Sequence, residues 1–456
     1  MPENAIPKEN KMGTMPIPKL IFNMSLPLIV SMLIQALYNI VDSIFVARLC
    51  EDALTAVSLA FPIHNLMIAF ATGTGVGINA LLSRRLGQKN REAAEQVANT
   101  GLLLALLTSL VFAVLGGLFS HTFFAMQKGI SDTIIRYGTD YMSIITVFSV
   151  GIFVEITSER ILQGTGRTMV TMYIQVTGAV INIILDPILI FGLFGAPRLE
   201  VRGAAIATVI GQIIAAILGL VLNYLRNPDI RLRLRQIFRP RLSLIREIYG
   251  IGFPSILMSA IGSVTNFLMN QILLTFSSTA AAVFGTFFKL NSFAFMPLFG
   301  LNNGIVPIVA YNYGAQNRAR ILQTVKLGMI FGTCIMAVGW ALFEFIPGPL
   351  LSLFDASETM LAIGIPAFRT VGWTFLLAAF SIVGGSIFQA LGKSIYSLLV
   401  SLGRQIVVLV PVAYLFSLTG NINLVWYAFL VAEVVCVALS ATFLRRVLHL
   451  LDGFDR

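Results

Sequence analysis

Long uncharged runs limit what this chain can fold into: residues 53–83, 96–127, 203–225 and 248–288, for example, contain no Asp, Glu, Lys or Arg. About 20 apolar residues cross a bilayer as a helix, and the last run is long enough for two crossings. Composition agrees, with 57% hydrophobic and 11% charged residues over a length of 456. Soluble proteins carry about 25% charge, which they need to cover their surface, whereas a chain solvated by lipid needs charge only at its two wet rims. A transmembrane β-barrel is excluded because its strands would be short and would alternate polar with apolar residues. Breaks at charged or Gly/Pro-rich points predict an all-α polytopic membrane protein of twelve spans, at 20–46, 54–82, 96–119, 138–160, 169–193, 203–225, 248–276, 282–310, 324–346, 366–390, 395–417 and 424–446.

The basic residues sort unevenly onto the loops between these spans. One side receives Arg84, Arg85, Lys89 and Arg91, the arginines from Arg226 to Arg246, Arg318, Arg320, Lys393, Arg445 and Arg446; the other receives Arg48, Lys128, Arg136, Arg198, Arg202 and Arg369. Short cytoplasmic loops are enriched in Lys and Arg, so both termini are expected in the cytoplasm of a multi-pass protein of the plasma (inner) membrane. This placement accounts for the net charge of +10 without nucleic acid. Cys50, Cys334 and Cys436 are odd in number and far apart, which excludes a disulfide scaffold. Residues 1–19 are polar and form no cleavable signal.

The chain repeats itself. At an offset of 227, Pro27 falls on Pro254, Asn39 on Asn266, Gly73 on Gly300, Gly77 on Gly304, Gly87 on Gly314, Asn90 on Asn317 and Gly101 on Gly328; at 226, Gln163 meets Gln389 and Gly166 meets Gly392. Six spans per repeat insert both halves in the same direction, so two parallel six-helix bundles are expected, related by a pseudo-two-fold axis along the membrane normal. The organisation then reads as a cytoplasmic N-terminal segment at 1–19, a first lobe at 20–225, a basic cytoplasmic linker at 226–247, a second lobe at 248–447 and a cytoplasmic tail at 448–456. Such a pair of bundles is the usual frame for a transported solute.

An ionisable residue at mid-membrane depth costs several kcal/mol unless it has a partner or water, so each one is a functional candidate. Asp42 lies late in the first span and Asp186 in the middle of the fifth. Without a basic residue at their depth, two such carboxylates either share a proton or, with neighbouring oxygens, hold Na⁺ as a hard cation; the bland alternative is a structural hydrogen-bonded pair. Asn182 is one helical turn before Asp186, on the same face. Glu155 and Glu159 are a turn apart in the fourth span, and Glu159 is expected to pair with Arg160 or reach water. Lys289, Arg404 and Glu433 are the deep charges of the second half, read equally as an ion pair or as transport residues. His64 reads as a packing residue. The full Gly-x-x-x-x-Gly-Lys-Ser/Thr phosphate loop is absent, since Ile387 stands where its first glycine would precede Gly392-Lys393-Ser394; the three histidines lack metal-ligand spacing, and Gly73, Gly75 and Gly77 lie inside a span as packing glycines.

Several segments together resemble the multidrug and toxic compound extrusion (MATE) family: LPLIVSMLIQALYNIVDSIFV at 26–46, DALTAVSLAFP at 52–62, GIFVEITSERILQGTGRT at 151–168, NIILDPILIFG at 182–192 and GAAIATVI at 203–210. The resemblance covers essentially the whole chain. It implies a secondary antiporter, not an enzyme, that expels small-molecule organic cations and amphipathic compounds in exchange for H⁺ or Na⁺, with no other cofactor, working as a monomer among membrane lipids. Carried over residue by residue, it implies an ion- or proton-coupling site at Asp42, Asn182, Asp186, Thr208 and the Ala204 carbonyl, with Tyr38 and Tyr141 as hydrogen-bonding neighbours; Asn39 and Glu155, read from the residues alone, are weaker cavity or relay candidates. Many relatives carry a Glu in the seventh span where this chain has Gly262, which argues against a second cation site there.

Three rival readings remain. A major-facilitator transporter would carry Gly-x-x-x-Asp-Arg/Lys in its second-to-third loop, and the loop here is Ser83-Arg84-Arg85-Leu86-Gly87-Gln88. A lipid-linked precursor flippase of the same superfamily would need a more cationic cleft. A polytopic membrane enzyme would need a cluster of His, acidic or Ser residues near one membrane face.

Overall fold

The computed structural model describes residues 9–127, 129–238, 241–354 and 356–455, and among them every regular element is helical. The first six spans are α1 (Ile17–Ala47), α2 (Glu51–Gly87), α3 (Arg91–Ala125), α4, α5 (Thr168–Phe191) and α6 (Val201–Arg226). The other six are α7 (Leu242–Leu274), α8 (Ser278–Gly314), α9 (Arg318–Phe345), α10 (Glu358–Ala390), α11 (Ser394–Ser417) and α12 (Ile422–His449). Counting α4 as one span gives the expected twelve. It consists of Asp132–Val147 and Val150–Gly164, bent by 45° at the break. A break also interrupts α10, between Glu358–Gly372 and Thr374–Ala390, at the matching place in the repeat.

The repeat is visible in turn geometry as well as in residue identity. Asn90 caps α3 by accepting from the Ala93 N–H, and Asn317 caps α9 by accepting from the Arg320 N–H. The residue before each cap, Lys89 and Gln316, is left-handed at φ 57° and 56°. Side chains other than Gly seldom adopt that conformation, so its recurrence marks two copies of one turn.

The chain divides into two compact units whose borders fall inside α1 and α7. One unit is Val30–Gly252. Its core is made of small and aliphatic side chains, including Ile78, Ala94, Val97 and Ile161 towards one end and Val46, Ala53, Val201 and Ala204 towards the other. The basic linker docks on this unit: Ile230 and Ile237 enter its core, the Arg233 N–H donates to Asn99 Oδ1 at 2.9 Å, and Arg167 pairs with Asp229 at 3.3 Å.

The other unit joins Met1–Ile29 to Phe253–Arg456. Here the packing is aromatic, with Phe343 stacked on Phe368 at 4.9 Å and Phe287 and Phe375 set against Phe343 edge to face or tilted. The start of the chain is bound into it. Arg320 donates to the Met12 and Met15 carbonyls at 2.9 and 2.7 Å, Asn312 donates to Met12 O at 3.0 Å, and Ser25 Oγ donates to the Leu301 carbonyl at 3.2 Å. Gly300 and Gly304 present bare backbone to Ile29 and Ser25, where added Cβ atoms would fall within 2.6 and 2.3 Å of the neighbour.

Candidate functional site

The acids of the first half are positioned by an unusually close pair of helices. On α5 the buried residues Ile174, Gly178, Asn182, Asp186 and Ile190 recur every fourth position, a narrow stripe on one face. On α6 the facing residues are Gly203, Ala204, Ala207, Thr208 and Gly211, small side chains that let two backbones approach. A Cβ on Gly203 would lie 2.5 Å from the Leu189 backbone, and one on Gly211 would lie 2.9 Å from the Gly178 carbonyl. These contacts bring the short Asn182 and Thr208 side chains together.

The hydrogen bonds fix how the Asn182 amide is turned. With its nitrogen towards Asp186 it donates to Oδ2 at 2.8 Å, while its oxygen accepts from the Thr208 N–H at 3.0 Å and from Thr208 Oγ1 at 3.1 Å. Asp186 is fully buried, and its carboxyl lies within hydrogen-bonding range of Asp42 from α1. Two carboxyls at that range favour holding a proton or a cation between them. Oδ1 of Asp42 and Oδ1 of Asp186 have no hydrogen-bond partner, so each has capacity for one more. Pro187 follows Asp186 directly; lacking an N–H, it leaves the Ile183 carbonyl without its helical donor.

The remaining candidates are distributed unevenly. Tyr38 is in hydrogen-bonding range of Thr208, and Tyr141, buried on α4, is within electrostatic range of Asp42 and Tyr38. Ala204 is buried one turn before Thr208, with the Thr208 N–H shared between the helix and Asn182. Asn39 is exposed, and the Ser43 hydroxyl donates to its backbone carbonyl, so it is not part of this group. Glu155 lies beside Gly178, its Oε1 3.6 Å from where a Cβ would sit, one turn along α5 from Asn182. Glu159 accepts from Gln175 Nε2 at 2.9 Å and is within electrostatic range of Arg160, which donates to Gln163 Oε1 at 2.9 Å. In the second half Arg404 meets Glu433, whereas Lys289 lies 5.8 Å from the Phe354 ring centre. Gly75 accommodates the aliphatic stem of Arg160, and Gly77 the Ile248 carbonyl, consistent with helix packing. No group of three or more His, Cys, Asp or Glu residues among the described residues is arranged to hold a metal ion.

Twelve spans in two repeated halves, with a buried polar cluster in one of them, define a polytopic membrane transporter rather than a soluble binding protein. The MatE family model matches residues 27–188 and again residues 254–415, two matches set 227 residues apart, and the chain belongs to that family. A multidrug export protein MepA of Staphylococcus haemolyticus is 27% identical over 423 residues, covering 92% of each chain. A FAD transporter of Shewanella oneidensis is 27% identical over 415 residues, covering 90% of each. Among solved structures, an outward-facing multidrug resistance MATE family transporter of the MOP superfamily is 25% identical with a TM-score of 0.90, covering 98% of this chain and 99% of its own. A MOP superfamily transporter from Pyrococcus furiosus has the same identity, TM-score and coverage.

Proposed function

We propose that this chain is a secondary antiporter that exports cationic or amphipathic small molecules, driven by H⁺ or Na⁺ influx through alternating access, with the ion site in its first half. The observation that carries this reading is the approach of half-buried Asp42 to buried Asp186, beside Asn182 and Thr208 and with no basic residue paired to either acid among the described residues. Such a cluster favours being neutralised, and either a small coupling ion or an organic cation does that. The names of the relatives, a multidrug exporter and a FAD transporter, do not agree on cargo charge. The uncompensated acids favour cations here, because a desolvated cation gains most from a fixed carboxylate. The test is efflux of a fluorescent organic cation from vesicles under separately imposed H⁺ and Na⁺ gradients. Export of anions alone would overturn the reading.

Thr208→Ala separates the two coupling ions. The hydroxyl is an oxygen ligand and a hydrogen-bond partner of Asn182, but it does not titrate at neutral pH. Losing it should cost about 1 kcal/mol of stability and should weaken Na⁺-driven efflux several-fold more than H⁺-driven efflux. Equal loss under both gradients would exclude Thr208 as a Na⁺ ligand.

The proposed orientation, in the plasma membrane with both termini cytoplasmic, puts exposed Cys50 outside, between α1 and α2. A membrane-impermeant maleimide added to intact cells is expected to label the protein, and Cys50→Ser is expected to remove that label. Labelling only after permeabilisation would reverse the topology.

A further inference from the structure

Residues 226–247 hold seven arginines and two acids, so the pairing of the acids decides how much of that charge is neutralised within the protein. Neither acid serves the segment's own arginines. Asp229 pairs with Arg167, just before α5, and Glu247 pairs with Arg85, near the end of α2, at 2.9 Å. Arg226, Arg231, Arg233, Arg235, Arg241 and Arg246 are exposed, and none of the six side chains has a partner among the described residues.

The segment that carries these arginines is fixed in place. Asn99 Nδ2 on α3 donates to the Arg231 carbonyl at 3.3 Å and to Gln236 Oε1 at 3.1 Å, and Arg91 donates to the Pro228 carbonyl. Residues 230–233 are not helical, and Arg233 is extended at φ −129° and ψ 116°. Successive side chains of an extended chain point to opposite sides. Ile230 accordingly enters the core and Leu232 packs against it, while Arg231 and Arg233 stand exposed between and after them. At about 3.3 Å per residue, two such arginines are about 6–7 Å apart along one edge. The alternation in Ile230-Arg231-Leu232-Arg233 thus gives the linker one apolar side and one cationic side.

The neighbours of the arginines indicate the partner. Tyr224 and Leu225, which end the α6 span, are 81% and 65% exposed; Phe238 and Leu242, among the later arginines, are 66% and 80% exposed. Residues at the end of a span lie at the edge of the hydrocarbon, where aromatic and aliphatic side chains are solvated by lipid. A soluble polyanion such as nucleic acid would match the charge and leave these apolar side chains uncovered. A phosphodiester anchored above acyl chains matches both.

We propose that the linker is a binding site for anionic phospholipids. Headgroup phosphodiesters pair with Arg231, Arg233 and Arg235, and the acyl chains cover Phe238 and Leu242. The linker is then clamped between the core of its own unit, through Ile230 and Ile237, and the lipid. This site depends neither on the export reading nor on which leaflet the linker meets.

The probe is phosphatidylglycerol with a fluorescent acyl chain, bound to the purified full-length protein in dodecyl maltoside and followed by polarisation. Unlabelled phosphatidylglycerol is expected to displace it about tenfold more effectively than phosphatidylcholine, and inorganic phosphate is expected not to displace it. The triple variant Arg231→Gln, Arg233→Gln and Arg235→Gln should lose that preference. Arg48→Gln, Arg136→Gln and Arg198→Gln together, which remove the same charge from exposed positions in other loops, should keep it. Phe238→Ser with Leu242→Ser should weaken phosphatidylglycerol several-fold with every arginine present. If a linker variant does not fold, the unaltered protein still tests the idea, because its preference should shrink several-fold as salt is raised from about 0.1 M to about 1 M. Equal displacement by the two phospholipids, equal loss in the two arginine triple variants, a salt-independent preference, or displacement by inorganic phosphate or an oligonucleotide as effective as by phosphatidylglycerol would each overturn the proposal.

Discussion

Replacing Asp186 with Asn is expected to abolish efflux driven by an imposed H⁺ or Na⁺ gradient while the protein remains folded in the membrane, and Asp42→Asn is expected to do nearly the same. Asn keeps the shape of Asp and its hydrogen bonds, so Asn182 retains a partner and the α5–α6 contact is undisturbed. What is lost is the exchangeable charge. On the proposed mechanism, the native pair of carboxyls holds a proton or cation, and departure of that ion restores affinity for an organic cation. The two ligands then oppose each other through a coupling free energy that is typically 1–3 kcal/mol. An amide makes the neutral state permanent and sets that coupling to zero. Glu433→Gln, outside this cluster, is expected to cost far less transport of a monocation. The mechanism is wrong if both Asn variants, at normal expression and membrane insertion, keep full ion-driven efflux.

Gly203→Val is expected to eliminate active protein without altering any polar group. Its first added carbon would sit 2.5 Å from the Leu189 backbone, which cannot rotate away as a side chain would. Overpacking costs typically 1–3 kcal/mol, and here relief requires α5 and α6 to separate. Asn182 would then lose the Thr208 N–H at 3.0 Å, leaving buried polar groups unpaired at a further cost of about 1–3 kcal/mol. The matched control is Gly285→Ala on α8, where an added Cβ meets nothing within 4 Å. Comparing thermal unfolding midpoints and efflux of the two variants tests the argument; a Gly203→Val protein as stable and active as the Gly285→Ala protein would refute it.

The span count was legible because lipid forces every backbone group into a helix, so uncharged length alone nearly determines the crossing. Asp42, Asn182 and Asp186 were legible as a candidate group for the same reason: charge at that depth is costly and a spacing of four residues fixes a shared face. The close approach that sets their geometry was harder to read, because Gly203 and Gly211 resemble the many other glycines of the chain until a neighbouring backbone is seen against them. The breaks in α4 and α10 have no sequence signal as plain as a proline, whereas Pro411 stands two residues past the π-helical segment Gly403–Leu409. The borders inside α1 and α7 were invisible to any division made at the loops.

Those borders bear on how the protein is made. The unit Val30–Gly252 is one continuous stretch and has all its partners once that stretch leaves the ribosome. The other unit is discontinuous: Met12, Met15 and Ser25, synthesised before the whole of Val30–Gly252, find their partners at Arg320, Asn312 and Leu301. Contacts so distant in sequence form late and at high loop-closure cost. The opening segment of the chain therefore waits, inserted but unclosed, through synthesis of the whole first half. A nascent chain released before Leu301 would leave that segment as an orphan for quality control, while the intervening unit was already complete.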